Sequence, residues 1–502
     1  MVLLTTIAVD ASYAARHPES VMVPLTLVVC IALYMHLTST RIGVCSGAMG
    51  HRRRLGVVAA VGLLALALAL AAIAPAQPAQ LAGTSACVDF LGRDGCQPGH
   101  ALGGADAIVS SPDGRFVYVG ARTVAVFARA ADGTLTQLPG AVGCVSEDTR
   151  DRPVGPAGAC GGARGVLHAD ALIESPDGHA LYVLDVRDAA IAAFARDSAS
   201  GRLRQLSGLA GCLSASGAGG CARDHRLAGL RAIALTRDGQ TMYAVAGDGR
   251  VTALARDRDG RLSLLAGPGA CLAWHARLGC TGVALLQGAF TVVAGANGRD
   301  VYVATDYGDI VEDASVGAVV ALTRSASGRL AVRRGPGSCV ANVGHGCSRI
   351  PDGVVIDLAA DRSGQVLWLS RGSTYKGAYT QTSLLGLRVS RTGGLTPGPA
   401  TAGARGLVFA ADGREAYGLG LDESDVLLFR RDPATARLTP PAPPACIDEL
   451  SVNTAGAADV SACISAHGFD DPVALAISPD SRTLYVASAT WNGVAAFAGA
   501  GP

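Results

Sequence analysis

The sequence has almost no excess charge of either sign, and nearly all of its basic residues are arginine. Its 502 residues include 42 basic and 41 acidic side chains, a formal net charge of +1, and Lys376 is the only lysine. Binding to nucleic acid or to an anionic membrane surface depends on a concentration of positive charge. We therefore expect no nucleic-acid partner and no membrane contact beyond an N-terminal anchor. With 49% hydrophobic and 17% charged residues, the chain has ample apolar surface to fold.

The motifs of several common enzyme classes are also missing. The sequence has no Gly-x-Ser-x-Gly elbow, no phosphate loop with Gly-Lys-Ser/Thr, no His-Glu-x-x-His and no dinucleotide fingerprint. Their absence argues against the commonest hydrolases, nucleotide-binding enzymes and metalloproteases. Two acidic segments, residues 306–313 and 422–425, could offer oxygen ligands to calcium, but neither has the spacing of a known calcium loop. We expect no cofactor, with calcium as the one alternative.

A hydrophobic segment near the N-terminus has the features of a secretory signal. Residues 49–76 begin with a methionine, continue with basic residues and a long apolar run, and end in small residues suited to cleavage. Residues 1–48 are then an upstream extension, and residues 77–502 are the exported domain. The alternative interpretation takes residues 21–37 and 55–73 as membrane-spanning segments. We expect a secreted or cell-surface protein.

One turn-and-strand pattern occurs seven times from residue 105 onward. Each copy has a turn rich in Asp, Asn, Ser and Gly, followed shortly by an aromatic residue within an apolar strand. Asp-Gly and Asn-Gly supply the positive φ of a tight turn, and the residues after them fit a half-buried strand. The turn residue and the aromatic residue of each copy are Gly114 and Tyr118, Gly178 and Tyr182, Gly239 and Tyr243, Gly298 and Tyr302, Gly364 and Trp368, Gly413 and Tyr417, and Ser481 and Tyr485.

Two further elements follow the aromatic residue in most copies. One is a strand that ends on a bulky residue with arginine two positions later, and the other is a short Gly-x-Leu segment. The arginine pattern occurs at Phe127 and Arg129, Phe194 and Arg196, Leu254 and Arg256, Leu322 and Arg324, Val389 and Arg391, and Phe429 and Arg431. With the apolar strand before each turn, every copy has four strands. The sequence therefore predicts an all-β protein with the fold of a seven-bladed β-propeller.

The seventh copy ends before its Gly-x-Leu strand, and the start of the exported domain contains a replacement. Residues 79–83 read Ala-Gln-Leu-Ala-Gly, which is similar to Thr-Gln-Leu-Pro-Gly at 136–140 and Arg-Gln-Leu-Ser-Gly at 204–208. We expect this N-terminal segment to form the outer strand of the last blade. Such closure leaves no long sheet edge unpaired.

Twelve of the fourteen cysteines form six pairs that are close in sequence, each after an outer strand. Seven to sixteen residues separate the members of a pair, which is wider than the spacing of a structural zinc site. An even number of cysteines in an exported chain favours disulfides, so we expect six local disulfides and no metal. The pairs are Cys87 with Cys96, Cys144 with Cys160, Cys212 with Cys221, Cys271 with Cys280, Cys339 with Cys347, and Cys446 with Cys463.

The motifs Ser-Pro-Asp-Gly, x-x-Tyr-Val, Val-Ala-Val-Phe-Ala-Arg and Gly-x-Leu together resemble the lactonase-like seven-bladed propellers. These are also known as YVTN repeat proteins and are related to propeller-type 6-phosphogluconolactonase. The resemblance covers nearly all of residues 78–502, and its motifs describe turns and core strands instead of catalytic groups. It implies the propeller fold and, as one of several activities in that superfamily, lactone hydrolysis. An exported, cystine-rich chain differs from the cytosolic hydrolases, which argues against a phosphorylated cytosolic sugar lactone as substrate.

The innermost strands of a propeller line its central channel, so one position in each strand forms a ring at the channel mouth. Counting eight residues back from each turn glycine, or from Ser481, selects Asp106, Asp170, Arg231, Phe290, Ile356, Arg405 and Val473. Two acids and two arginines at one level could bind a lactone, with a carboxylate activating water and an arginine stabilising the oxyanion. The alternative is a set of mutually paired charges that fills a wet channel. His168 and His467 lie on nearby loops as further binding candidates, although such histidines are more often surface or capping residues.

Two functions therefore stay open. The first is an exported binding or interaction scaffold, acting as a monomer, whose loops contact a protein or carbohydrate partner. The second is a lactone hydrolase at the channel mouth that uses Asp106 or Asp170 together with Arg231 and Arg405. Free and convergent carboxylate and guanidinium groups would favour the enzyme, and mutually satisfied pairs would favour the scaffold.

Overall fold

A computed structural model of the chain forms two compact units, residues 1–76 and 77–502, and every residue described below belongs to the second unit. The interpretations of residues 1–48 and 49–76 lie outside the described residues. No helix within the described residues is long and apolar enough to cross a membrane. The structure describes residues 78–150, 158–307, 316–343, 346–361, 363–375, 378–420, 425–432, 435, 437–441, 445–449 and 463–499.

Seven sheets follow one another along the chain, and each sheet is one blade of a propeller, as predicted. The innermost strands are Ala107–Ser110, Ala171–Glu174, Leu230–Leu235, Ala289–Ala294, Val354–Ala360, Arg405–Phe409 and Pro472–Ile477. The second strands are Phe116–Gly120, Ala180–Asp185, Thr241–Ala246, Asp300–Tyr307, Val366–Tyr375, Glu415–Leu419 and Thr483–Ser488. The third strands are Val124–Arg129, Ala190–Arg196, Arg250–Arg256, Val316–Arg324, Ala378–Val389, Asp425–Arg431 and Gly493–Ala498. Each innermost strand contacts that of the next blade, and the seventh contacts the first, which closes the ring.

The outer position of six blades is divided between two short strands, whereas the sequence suggested one. A Gly-x-Leu strand, or its N-terminal equivalent in blade 7, pairs with the end of the third strand, and a cysteine strand pairs with its beginning. A further short segment lies parallel to the cysteine strand and is joined to it by the disulfide. Blade 5 has no cysteine pair, and its outer strand, Leu395–Ala402, is continuous.

These short elements have the following bounds. The Gly-x-Leu strands are Leu135–Gln137, Leu203–Gln205, Leu262–Leu264, Leu330–Val332 and Leu438–Thr439. The cysteine strands are Cys87–Asp89, Cys144–Ser146, Cys212–Ser214, Cys271–Ala273, Cys339–Ala341 and Cys446–Glu449. The parallel segments are Gln97–Pro98, Gly161–Gly162, Ala222–Arg223, Thr281–Gly282, Ser348–Arg349 and Cys463–Ala466. Short 3-10 helices lie at Thr84–Ala86, Arg93–Gly95, Gly140–Val142, Gly208–Gly211, Ala218–Gly220, His225–Leu227 and Ala284–Leu286.

All six predicted disulfides are formed, with Cα–Cα distances of 4.5 to 4.9 Å. Such distances lie within the range that an unforced disulfide spans. Each bond closes a loop of the outer region that leads to the innermost strand of the following blade, so the disulfides fix the connections between blades. The bonds join Cys87 to Cys96, Cys144 to Cys160, Cys212 to Cys221, Cys271 to Cys280, Cys339 to Cys347, and Cys446 to Cys463.

The N-terminal strand Ala79–Gln80 completes blade 7, as predicted. Ala79 pairs with Ala498, and Gln80 pairs with Phe497. The Gln80 side chain also accepts a hydrogen bond from the backbone N–H of His467 at 3.0 Å and donates one to its carbonyl at 2.8 Å. Because His467 lies in the loop from blade 6, the N-terminal segment ties the last two blades together.

The repeated tyrosine and the repeated arginine meet between neighbouring blades. Tyr118 of blade 1 accepts a hydrogen bond from Arg196 Nε of blade 2 and donates one to the carbonyl of Gly201, both at 2.9 Å. Arg196 also forms an ion pair with Asp113, in the turn of blade 1, at 2.7 Å. We call this pair the interblade ion pair. It recurs as Arg129–Asp480, Arg256–Asp177, Arg324–Asp238 and Arg431–Asp361.

Blade 5 departs from this pattern, and the predicted alignment of Val389 and Arg391 with the other blades was wrong by two positions. Val389 pairs with Leu395 of the outer strand, the register that the interblade arginine has in the other blades. The facing turn of blade 4 has Asn297 at the position where five of the other turns have aspartate. Both partners of the interblade ion pair are therefore replaced, so that neither charge is left buried without the other.

Candidate functional site

The longest connections of the propeller lie at the end of the ring where each innermost strand begins. Because adjacent strands are antiparallel, the hairpin between the second and third strands reaches the same end. The loop after each cysteine strand does so as well. We call this end the loop face, and the opposite end, which carries the Asp-Gly turns, the turn face. The six disulfide-closed loops therefore share the loop face with the channel mouth.

The seven positions selected by counting from the turns all lie at the loop-face end of their innermost strands. In four blades the selected residue is the extra residue of a β-bulge, namely Arg231, Phe290, Ile356 and Val473. Arg405 begins a strand whose register is irregular, and Asp106 and Asp170 immediately precede theirs. A bulge changes the direction of its side chain, so one sequence position does not imply one orientation around the ring.

Asp106 and Asp170 belong to an acidic group contributed by blades 7, 1 and 2. Asp106 is exposed to solvent, but the protein atoms around its carboxyl partly desolvate it, and this desolvation raises its pKa. The negative charges of Asp170 and Asp471 raise that pKa further, whereas the positive charges of His168 and Arg187 oppose the increase. Asp170 accepts a hydrogen bond from the backbone N–H of Val186 at 2.7 Å. The second-to-third hairpin of blade 2 thus holds one of the two acids.

The two candidate arginines lie on blades 3 and 6. Arg405 is beside Asp357, whose carboxylate accepts hydrogen bonds from the backbone N–H groups of Gly406 at 2.9 Å and Leu358 at 2.7 Å. Arg231 lies against the second-to-third hairpin of its own blade. Neither arginine forms an ion pair within the described residues, and the cations acting most strongly on Asp106 are His168 and Arg187. The strongest charges acting on Asp106 therefore come from Asp170, Asp471, His168 and Arg187.

The two candidate histidines have different surroundings. The backbone N–H of His168 donates to Asp185 Oδ2 at 3.0 Å, and its half-buried ring lies near Asp106 in the acidic group. His467 is exposed, and its backbone is bound by Gln80 in the joint between blades 6 and 7. His168 therefore lies at the channel mouth, whereas His467 belongs to the closure of the ring.

Within the part of the chain that the structure describes, no three His, Cys, Asp or Glu side chains are grouped so as to hold a metal ion. Of the two acidic segments, only Asp306, Tyr307 and Asp425 are among the described residues. Asp306 accepts a hydrogen bond from the backbone N–H of Val355 in the next blade. Its carboxylate therefore helps to join blades 4 and 5.

A cleft that the sequence did not indicate lies on the loop face between blades 3 and 4. Its volume is about 430 Å³, and Trp274, His275 and Tyr307 contribute to its walls. The one available signal was a Trp-His pair inside a cysteine loop of a chain with only 5% aromatic residues. Spacing alone could not reveal the cleft, because its walls come from two blades.

No protein-family model matches the chain, and no curated protein matches it. Similar solved structures include proposed 6-phosphogluconolactonases from Bacteroides uniformis and Bacteroides fragilis, at 14% and 16% identity, each with a TM-score of 0.43. They cover 66% and 67% of this chain, respectively, and 82% of their own length in both cases. Kuenenia stuttgartiensis hydrazine synthase is similar over 80% of this chain and 96% of its own, at 14% identity and a TM-score of 0.47. Similarity at this level does not show which reaction, if any, this chain catalyses. The resemblance to YVTN repeats stays a prediction.

Proposed function

We propose that the protein is an exported binding scaffold that contacts a partner outside the cell through its loop face. The observation that carries this proposal is the position of the disulfides, because all six close loops on the face that surrounds the channel mouth. Loops that are rigid before binding lose less conformational entropy when a partner binds. Disulfides also persist mainly in oxidising compartments, which fits a location outside the cytosol.

The arrangement of charges at the channel mouth also favours binding over catalysis. A hydrolase of the predicted kind needs a carboxylate and an oxyanion donor aimed at one reacting atom. Here Asp106 and Asp170 lie on the adjacent blades 1 and 2, whereas Arg405 lies on blade 6 beside Asp357. The cations that act most strongly on Asp106 are His168 and Arg187, and not the two arginines named from the sequence.

The scaffold is tested by adding purified residues 77–502 to intact cells of the organism that encodes the chain and measuring how much protein is retained. We expect retention by the oxidised protein. We also expect retention to be lost after mild reduction that opens the disulfides but leaves the far-ultraviolet circular dichroism of the propeller unchanged. Equal retention before and after reduction would contradict a role for the disulfide-closed loops, and no retention by the oxidised protein would contradict a cell-surface partner.

Lactone hydrolysis remains a second candidate because of Asp106. Asp106 has a carboxyl with a raised pKa, which suits a general acid or base. The nearby cations His168 and Arg187 could stabilise an oxyanion. Proton release from a panel of sugar and aliphatic lactones tests it, with and without calcium. Turnover that disappears in Asp106→Asn would establish the enzyme and displace the scaffold, whereas the scaffold predicts no turnover above the buffer rate.

A further inference from the structure

The cleft between blades 3 and 4 is built from three separate segments of the loop face. The hairpin of blade 3 contributes Asp248, and the Cys271–Cys280 loop contributes Trp274 and His275. The end of the second strand of blade 4 contributes Tyr307 on the opposite side. A volume of about 430 Å³ falls within the roughly 300–1,000 Å³ of small-molecule sites.

An aromatic platform forms one wall of this cleft. The rings of Trp274 and His275 are stacked, with centroids 4.0 Å apart and planes inclined by 29°. The backbone N–H of Trp274 donates to the carbonyl of Gly249 at 3.1 Å, and Gly249 has a φ of +80°. Any larger residue at Gly249 would place its Cβ 2.9 Å from that of Trp274. The platform is therefore held in position by the hairpin beneath it and by the disulfide of its own loop.

Polar side chains also lie beside the platform. Asp248 forms ion pairs with the buried Arg250, at 2.9 Å, and with the partly exposed Arg277. The side-chain amide of Gln287, which also lines the cleft, makes no hydrogen bond within the described residues. The residues that line the cleft include two carboxylates, Asp248 and Asp306, and one guanidinium group, Arg277, so the cleft offers both donors and acceptors and has no excess of positive charge.

These features select a class of ligand. A sugar ring has an apolar face of C–H groups, which suits an aromatic ring, and a rim of hydroxyls, each of which both donates and accepts hydrogen bonds. A nucleotide base could also stack, but its phosphate needs an excess of positive charge that the cleft lacks. We propose that this cleft, in which Trp274 and His275 stack beside the Asp248–Arg277 ion pair, binds a neutral carbohydrate. The proposal rests on the binding function proposed above and names its ligand class.

Intrinsic fluorescence provides a direct test, because the chain has only three tryptophans. Trp368 is 1% exposed in the core, and Trp491 lies under the guanidinium of Arg93 at 4.2 Å. Purified residues 77–502 are titrated with short neutral oligosaccharides of glucose, galactose, mannose and N-acetylglucosamine. We expect a saturable change in emission with at least one of them, and the same affinity in the control variant Trp491→Phe.

The variant Trp274→Ala is expected to lose at least about tenfold in affinity, measured by calorimetry, whereas Trp274→Phe retains most of it. An unchanged melting temperature verifies that Trp274→Ala is folded. Equal binding by wild type and Trp274→Ala would overturn this site but leave the scaffold intact. Absence of binding to every sugar in the panel would overturn the ligand class, and retention on cells would then show separately whether the scaffold function survives.

Discussion

Arg196 lies between blades 1 and 2, where only 1% of its side chain is exposed. A guanidinium so far from water requires opposite charge and hydrogen-bond acceptors, and it finds them in Asp113, Tyr118 and the carbonyl of Gly178. Because the same pair recurs at four other boundaries, the arginine pattern in the sequence reflects the joining of blades. It is a structural signal, and it carries no information about ligands.

Replacing Arg196 by methionine tests this role. The change keeps the apolar stem but leaves the carboxylate of Asp113 and the buried side chain of Glu174 without their guanidinium partner, so we expect a loss of about 3 kcal/mol in the free energy of unfolding. Arg391→Met is the matched control, since Arg391 is exposed and forms no ion pair within the described residues; we expect a change within about 0.5 kcal/mol. Equal losses of unfolding free energy in the two variants, measured by urea unfolding, would contradict the role of Arg196 in joining the blades.

Glu174 gives a pH-dependent prediction at the same boundary. Its side chain is 3% exposed, and burial raises its pKa to about 8, although Arg196 is only 3.0 Å away. Burial prevails because Asp113 already neutralises Arg196. The folded state therefore binds a proton that the unfolded state releases near its ordinary pKa of about 4.3, so this group destabilises the protein as pH rises from about 5 to 8.

Glu174→Gln should remove that contribution. We expect the variant to gain on the order of 2 kcal/mol over wild type between pH 5 and pH 8, as measured by urea unfolding at several pH values. Parallel stability curves for the two proteins would show that Glu174 does not titrate in this range.

At the scale of the element, the N-terminal strand and the disulfide-closed loops connect neighbouring blades. The strand Ala79–Gln80 is only two residues long, yet it gives the third strand of blade 7 its outer neighbour. Gln137 and Gln205 bind the backbones of His100 and Arg164 in the way that Gln80 binds His467. The Gln-Leu motif in the sequence thus marks a repeated contact between a blade and the loop that enters it.

Removing residues 77–82 tests the closure. We expect backbone amides of Gly493–Ala498 to exchange with deuterium faster in the shortened protein, because both the strand pairing and the Gln80 contacts are lost. Amides of the third strand of blade 3, Arg250–Arg256, serve as the internal control and should be unaffected. Unchanged exchange in blade 7 would show that the strand does not close the ring.

A double variant that combines Cys212→Ser with Cys221→Ser tests one disulfide loop. Because Cys212 and Cys221 are nine positions apart, their bond should contribute roughly 2–3 kcal/mol in the chain-entropy model. We expect a lower melting temperature for the variant than for wild type, both measured without reductant. An unchanged melting temperature would mean that neighbouring contacts already fix this loop.

The sequence predicted those features that repeat and missed those that arise between blades. The sequence predicted the seven turns, the six cysteine pairs and the N-terminal strand of blade 7. Each copy of the repeat forms the same turn and strands, so similar residues recur at the same positions. The register of Val389 was not predicted, since blade 5 has neither a disulfide nor the ion pair with blade 4 that would have marked it. Counting also placed Arg231 at the channel mouth, but the bulge there determines where its side chain points.

At the scale of the whole molecule, the ring has two faces with different tasks. The turn face carries the Asp-Gly turns and the interblade ion pairs, which hold neighbouring blades together. The loop face carries the disulfide-closed loops, the acidic group around Asp106 and the cleft beside Trp274. This division underlies the proposal that one face stabilises the propeller and the other binds.

The rarity of lysine makes this division directly measurable. In a Lys376→Arg background, residues 77–502 contain no lysine, so a polyethylene glycol coupled to amines attaches only at the N-terminus and at a lysine introduced on purpose. Arg187→Lys places that polymer on the loop face, and Arg115→Lys places it on the turn face; both arginines are exposed. The measurement is retention on cells. The account predicts that polymer at position 187 abolishes retention and polymer at position 115 does not, and the reverse result would contradict it.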